Sequence, residues 1–260
     1  MPIHLIELNE YMIKNVKLRL GVTMWLLAMV GVVAVASTVI PQLLARSPQQ
    51  VPLWIAVTAS IVQSGVLLIL AVWAGVTFSR PLGLGAPVIE AALSRSGAWL
   101  VLRDQIFPAA IVGIASGGVL LVAQRMSPDE LLAVGQTITI PLVSKVLYGG
   151  IVEEVLVRWG LMTTLIWLPW RLAQKKAGPP QARYVVGAII FSAVLFGLGH
   201  LPAAAAFIAG DLTAPVVAFV IVGNSLPGVM FGYLYWRYGI EAAMVAHAVG
   251  HVVFFLATGA

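Results

Sequence analysis

The sequence predicts an all-α protein, a polytopic transmembrane helical bundle of about seven to eight helices. Of its 260 residues, 60% are hydrophobic and only 10% are charged, and the mean hydropathy is +0.99. This composition lies far outside that of a soluble domain of the same length. Apolar runs without charge approach or exceed 20 residues, the length that an α-helix needs to cross a bilayer, and the short alternating strands of a β-barrel are not seen. We expect one integral membrane domain over residues 1–260.

The first predicted span covers residues 21–40 and follows Lys17 and Arg19. Residues 34–37 resemble the small-residue cleavage site of a signal peptide, but the run is long enough to span the bilayer and we expect it to be retained. Residues 79–104 contain several Gly and Pro and predict a loop with a short interfacial helix near residues 87–93. The other uninterrupted spans are expected at residues 53–78, 106–123, 184–200, 214–235 and 239–257.

The long apolar stretch at residues 131–170 allows two interpretations. It could hold one tilted helix that starts near Pro141, after a surface or re-entrant segment, or two shorter helices broken at Gly149 and Gly150. Basic loop residues favour one helix. With one span here and the amino terminus inside, nearly all loop Lys and Arg residues are cytoplasmic, and only Arg46 and Arg125 lie outside.

Charge and composition also restrict the function. The net charge of +5 lies mainly in short loops, where it indicates topology, so we expect the lipid bilayer and no nucleic acid as a partner. The chain has no cysteine, which excludes a disulfide framework and a thiol nucleophile. Short loops and a high Ala, Val and Gly content are typical of a bacterial inner-membrane protein.

Two adjacent carboxylates and a guanidinium lie inside the fourth apolar stretch, where charges are costly unless they are paired. On a helix, Glu154 and Arg158 are four residues apart on one face and can form a pair. Glu153 would project about 100° away and face another partner. Arg158 can neutralise only one carboxylate, so a purely structural ion pair does not account for both.

Three of the four histidines lie in predicted spans: His200, His247 and His251. The last two are four residues apart on one helical face, a spacing that lets two imidazoles share a metal ion or a water molecule. Counted from the cytoplasmic helix ends at about 1.5 Å per residue, Glu153 and His200 lie roughly 24 Å deep, His251 roughly 18 Å and His247 roughly 12 Å, so these groups could meet in one buried chamber. Together they would supply a general base, candidate metal ligands and hydrogen-bond donors for hydrolysis of an amide.

The order of these groups resembles a known family. Glu153-Glu154-x-x-x-Arg158, Phe196-x-x-x-His200 and His247-x-x-x-His251, on successive helices, are similar to the motifs of the CPBP family, the CAAX prenyl protease and bacteriocin-processing (Abi) intramembrane metalloproteases. The segment 231–237 resembles the one that precedes the last motif in that family. The resemblance covers residues 140–256, which we expect to form the catalytic core.

The resemblance implies a role for each motif residue. Glu153 would activate the attacking water, His200 would share that water, and His247 would help to bind the oxyanion. Glu154 and Arg158 would hold the helix and orient the site. The family usually has Asn or Asp where this chain has His251. This histidine could donate a hydrogen bond, complete a zinc site with the other two histidines, or mark a member without peptidase activity.

The expected function is therefore an intramembrane endopeptidase that cuts a membrane-associated or lipidated peptide, with a glutamate-activated water that is either bound to zinc or metal-free. One alternative is a catalytically inactive relative that acts as a membrane scaffold or as an immunity or regulatory protein. Another is a transporter that uses the carboxylates and histidines as a proton or metal relay.

Three other residue types have structural interpretations. Trp159, Trp167, Trp170 and Trp236 lie near predicted span ends and are expected to form an interfacial belt. Asn224 is expected to hydrogen-bond to a neighbouring helix. Lys145 is expected either to reach the outer interface or to pair with Glu153.

Overall fold

The computed structural model describes residues 3–46, 51–135, 138–208 and 211–259, and this part of the chain is helical without strands. The α-helices are α1 (Ile3–Thr38), α2 (Ile40–Leu44), α3 (Leu53–Phe78), α4 (Pro87–Leu93), α5 (Ala98–Arg125), α6 (Asp129–Gly135), α7 (Leu142–Leu147), α8 (Thr163–Leu172), α9 (Ala182–Gly199), α10 (Leu201–Phe207), α11 (Ala214–Tyr238) and α12 (Ile240–Thr258). The predicted fold class is confirmed.

Six helical segments of the described residues are long and apolar enough to cross a membrane. They are 15–44, 53–78, 98–125, 182–207, 214–238 and 240–258. The predicted span 53–78 and the predicted interfacial helix 87–93 agree with α3 and α4 in both bounds. Helix α1 begins earlier than the apolar run because hydropathy marks only the apolar part of a helix, and a polar sequence without Pro or Gly continues it.

The fourth predicted span, within residues 131–170, is one continuous helix from residue 142 to residue 172. It starts directly after Pro141, which lacks a backbone N–H and favours an extended conformation at the helix boundary. Between α7 and α8 the chain is π-helical over Tyr148–Glu153 and Val155–Met162. The interpretation with two helices broken at Gly149 is therefore wrong. Runs of π-helix are rare and occur mostly at functional sites.

Glycines let the central helix 142–172 approach its neighbours closely. A Cβ at Gly150 would lie 3.3 Å from the carbonyl oxygen of Met244 on α12. On another side of the same helix, a Cβ at Gly160 would lie 2.6 Å from the Cβ of Ala71 on α3. The helix that carries both glutamates is thus packed against α3 and α12 at near-backbone contact, which fixes its position.

Trp159 also contributes to the packing between the central helix and α3. Its indole is fully buried and lies against Gly75 of α3, where there is no side chain in the way. Trp170 is also buried, and its indole N–H donates to the carbonyl oxygen of Gly178 at 2.9 Å. The prediction of an interfacial belt is wrong for these two residues, because proximity to a span end does not specify which face of the helix meets lipid.

Polar side chains also connect neighbouring helices, as two contacts of α12 and α11 show. Oε1 of Glu241, on the first turn of α12, accepts a hydrogen bond from the backbone N–H of Ile89 in α4 at 2.9 Å. The Ser225 hydroxyl on α11 donates to the carbonyl oxygen of Ala193 on α9 at 3.1 Å. Asn224 instead bonds to Val220 within its own helix, so the prediction of an interhelical bond there is wrong.

Candidate active site

The central helix, α9 and α12 bring the three predicted motifs together. Oε1 of Glu154 accepts two hydrogen bonds, from Nη1 of Arg158 at 3.0 Å and from Nδ1 of His247 at 2.8 Å. Glu154 and Arg158 are fully buried, and 7% of the surface of His247 is exposed. The helical pair expected from the sequence is thus present, and it also holds an imidazole from a different helix.

Aromatic rings and a carbonyl group enclose the Arg158 guanidinium. Its Cζ lies 4.9 Å from the ring centre of Phe196 and 5.5 Å from that of Phe231, both at cation–π distance. Nη2 donates to the carbonyl oxygen of Gly228 at 3.0 Å. The buried positive charge is therefore paired with a carboxylate and stabilised by two π faces, which a buried charge requires.

Glu153 faces two imidazoles. Its Oε1 lies 3.8 Å from Nε2 of His200, and its Oε2 lies 3.8 Å from Nε2 of His247. The Glu153 side chain is 17% exposed, whereas that of Glu154 is fully buried, so the two neighbouring carboxylates have different surroundings. The distances of 3.8 Å exceed a direct hydrogen bond and are compatible with a water molecule that bonds to both groups.

Hydrogen-bond partners assign the proton of each imidazole. Nδ1 of His200 lies 2.8 Å from the carbonyl oxygen of Phe196, which can only accept, so this nitrogen carries the hydrogen. Nδ1 of His247 donates to the carboxylate of Glu154 in the same way. In the neutral rings each Nε2 then presents a lone pair toward Glu153. The Glu153 carboxylate and the two Nε2 lone pairs all face one space. A water molecule there could donate its two hydrogens to two of these acceptors.

His251 lies beside this group, one helical turn further along α12. Its ring stacks on that of His247, with 5.0 Å between ring centres and 24° between the planes. A Cβ at Gly149 would lie 2.6 Å from Nε2 of His251 and 3.1 Å from Nε2 of His247. Because the central helix has a glycine at this position, both imidazoles of α12 can lie against it.

A zinc ion shared by the three histidines would require their ring nitrogens to converge on one point. Ligand atoms of a tetrahedral zinc site with bonds of about 2.1 Å are roughly 3.4 Å apart. Within the described residues, no group of three or more His, Asp or Glu side chains is arranged to hold a metal ion.

Several contacts could not be identified from the motifs. The carbonyl oxygens of Phe196 and Gly228 are backbone groups, which no residue pattern marks. The stacking of Phe231 on His247, with ring centres 4.6 Å apart, has a weak signal in the segment 231–237. Lys145 lies 5.9 Å above the ring of Phe254 and forms no ion pair with Glu153.

Comparison with known proteins is consistent with this geometry. Residues 135–253 match the family model described as type II CAAX prenyl endopeptidase Rce1-like. The match includes the central helix with both glutamates, α9 with His200, and α12 as far as His251. No curated protein and no solved structure matches the chain.

Proposed function

We propose that this chain, whose residues 135–253 match the model of the Rce1-like type II CAAX prenyl endopeptidases, hydrolyses a peptide bond of a membrane-associated or lipidated substrate with a water molecule activated by Glu153. The family match and the six described helical segments apolar enough to cross a membrane support an integral membrane protein and a CAAX-type intramembrane protease in general. The reaction mechanism and the role of each residue are the proposal.

The observation that carries the proposal is the position of Glu153 between two imidazoles, 3.8 Å from Nε2 of each. In the proposed reaction, Glu153 takes a proton from a water molecule whose other hydrogen bonds to His200. As the water oxygen attacks the carbonyl carbon of the scissile bond, Glu153 passes this proton to Nε2 of His247, and the oxyanion accepts a hydrogen bond from the protonated ring. His247 then gives the proton to the leaving amine, which returns both groups to their starting state.

The roles of Glu154 and Arg158 follow from their burial. Neither is placed to contact a substrate, because Glu154 is enclosed and Arg158 is covered by two phenyl rings. Glu154 holds the His247 ring through Nδ1 and so directs Nε2 toward Glu153. Arg158 balances the charge of Glu154. We assign both as positioning residues and Glu153, His200 and His247 as the catalytic residues.

The test compares purified wild-type protein with Glu153→Gln in the hydrolysis of a quenched fluorescent peptide library, prenylated and unmodified. Glutamine preserves the shape of the side chain but cannot accept the proton, so we expect the rate to fall about 10²- to 10⁴-fold. The matched control is Glu130→Gln, the same substitution at an exposed residue. Wild-type rates for Glu153→Gln would refute the proposal.

The alternative of an inactive scaffold predicts a different result in the same experiment. No peptide would be cleaved by the wild-type protein, and Glu153→Gln would keep its function in cells. His251, which replaces the family's Asn or Asp, is the residue that motivates this alternative.

A further inference from the structure

A second polar site lies away from the candidate active site, where α5 begins and α11 meets α12. A cleft of about 440 Å³ opens there. Its polar lining comes from Ser96, Asp104, Gln105 and Arg237, and its apolar lining includes Leu100 and Val101. None of these residues contacts the glutamate and histidine cluster, and the proposed peptidase activity does not use them.

Gln105 is a buried polar residue in the lining of the cleft. The residue is only 3% exposed, and its side-chain oxygen Oε1 has no hydrogen-bond partner among the described residues. A buried amide oxygen without a partner is unfavourable unless a hydrogen-bond donor reaches it. The donor that it would bind is a hydroxyl or an ammonium group.

The charges in the cleft point to a phosphate next to that donor. Arg237 forms no ion pair with any described carboxylate, and its guanidinium lies 5.5 Å from the ring centre of Trp236. Guanidinium groups bind phosphate through two parallel hydrogen bonds. Asp104, which is 3.4 Å from Arg103 on the exposed surface, adds a carboxylate that favours an ammonium group.

The position of the cleft relative to the spans indicates a lipid. It lies in the first turns of the span 98–125 and at the end of the span 214–238, which is the level of the headgroups. Trp99, Leu100 and Phe107 of α5 are 65%, 55% and 74% exposed, so an apolar surface continues from the cleft along the helix. A headgroup in the cleft would place its acyl chains against this surface.

We infer that this cleft binds the headgroup of a glycerophospholipid of the phosphoethanolamine class, with the phosphate on Arg237 and the ammonium group on Gln105 and Asp104. Basic pockets between transmembrane helices at the membrane surface are known to bind lipid headgroups. An adjoining cleft of about 300 Å³ shares Arg237 and adds Arg80 and Glu90, which leaves room for the glycerol portion.

The test uses the full chain in a non-ionic detergent and measures binding by titration and native mass spectrometry. The probes are dihexanoyl phosphatidylethanolamine, dihexanoyl phosphatidylcholine, which has no donor on its nitrogen, and inorganic phosphate. The variants are Arg237→Gln and Gln105→Leu, and Arg171→Gln is the matched control because Arg171 is exposed and outside the cleft.

We expect one phosphatidylethanolamine per chain, with affinity about tenfold weaker in Arg237→Gln, the value of one charge-assisted hydrogen bond. Gln105→Leu should lower the affinity for phosphatidylethanolamine several-fold. The affinity for phosphatidylcholine, already the weaker ligand, should stay unchanged. Arg171→Gln should bind as the wild type does. Equal binding to wild type and both cleft variants would overturn the inference, and phosphate as tight as the lipid would overturn its assignment to a lipid.

Discussion

Glu154 and His247, 93 positions apart in the sequence, are joined by a hydrogen bond of 2.8 Å between Oε1 and Nδ1. This bond connects the central helix to α12 and determines which nitrogen of His247 faces Glu153. Because the same oxygen also accepts from Arg158, one carboxylate atom fixes both the ring orientation and the charge balance. The two adjacent glutamates therefore have separate tasks, and substitutions should separate them.

Replacement of Glu154 should reduce stability. In Glu154→Gln the Arg158 guanidinium loses its only carboxylate while it stays buried, and an uncompensated buried charge costs about 3–5 kcal/mol. We expect a lower midpoint of thermal unfolding in detergent, together with lower activity. The double substitution Glu154→Gln, Arg158→Met should recover part of the stability, because no unpaired charge remains. An unfolding midpoint of Glu154→Gln equal to the wild-type value would contradict this account.

Gly149→Ala tests the space that the imidazoles require. The added methyl group would lie 2.6 Å from Nε2 of His251 and 3.1 Å from Nε2 of His247, so both rings must shift. A displacement of about 1 Å in a catalytic group can lower the rate about 100-fold, and we expect a loss of that size in peptide hydrolysis. Gly118→Ala, where a Cβ would meet nothing within 4 Å, is the control and should keep full activity. Equal rates for the two variants would argue against a site at this position.

His251→Asn tests the departure from the family pattern. The ring of His251 stacks on His247 but forms no hydrogen bond to Glu153 or Glu154, so the proposal gives it no proton to transfer. Asparagine is one of the two residues that the family usually has there, and we expect peptide hydrolysis within about tenfold of the wild-type rate. His200→Asn, by contrast, should abolish activity. If His251→Asn lost all activity while it stayed folded, His251 would have a direct catalytic role.

Removal of metal ions should leave activity unchanged. Among the described residues no group of three or more His, Asp or Glu side chains is arranged to hold a metal ion, and the proposed reaction uses Glu153 alone to activate water. Incubation with EDTA or 1,10-phenanthroline, followed by desalting, is therefore expected to preserve the rate of peptide hydrolysis, with elemental analysis as the second readout. Activity that disappears on chelation and returns with added zinc would restore the three-histidine zinc site as the better explanation.

Much of the fold follows from patterns of apolar residues. The bounds of α3 and α4 and the start of the central helix after Pro141 agree with the sequence, because Pro and the ends of uncharged runs mark helix boundaries strongly. Hydropathy does not specify which side of a helix meets protein, and Trp159 was misplaced for that reason. The π-helical geometry leaves no residue pattern either, since it depends on the packing of neighbouring helices.

The candidate site is predictable to a similar extent. Spacing on a helix correctly paired Glu154 with Arg158, and estimates of depth suggested that the histidines could meet Glu153. The hydrogen bond between Glu154 and His247 could not be predicted, because it depends on how α12 is rotated about its axis. Likewise, no motif marks Gln105 or Glu241 in the sequence, and only the structure shows that both polar side chains are buried.

The arrangement of acceptors around Glu153 has a consequence for the timing of the proposed reaction. While both rings are neutral, Nε2 of His200 and Nε2 of His247 cannot donate to an oxyanion, since their hydrogens lie on Nδ1. A peptide carbonyl oxygen would meet lone pairs and be repelled. The donor arises only when an imidazole takes up a proton, so formation of the nucleophile and of the oxyanion's partner become a single event, and water must arrive before the peptide.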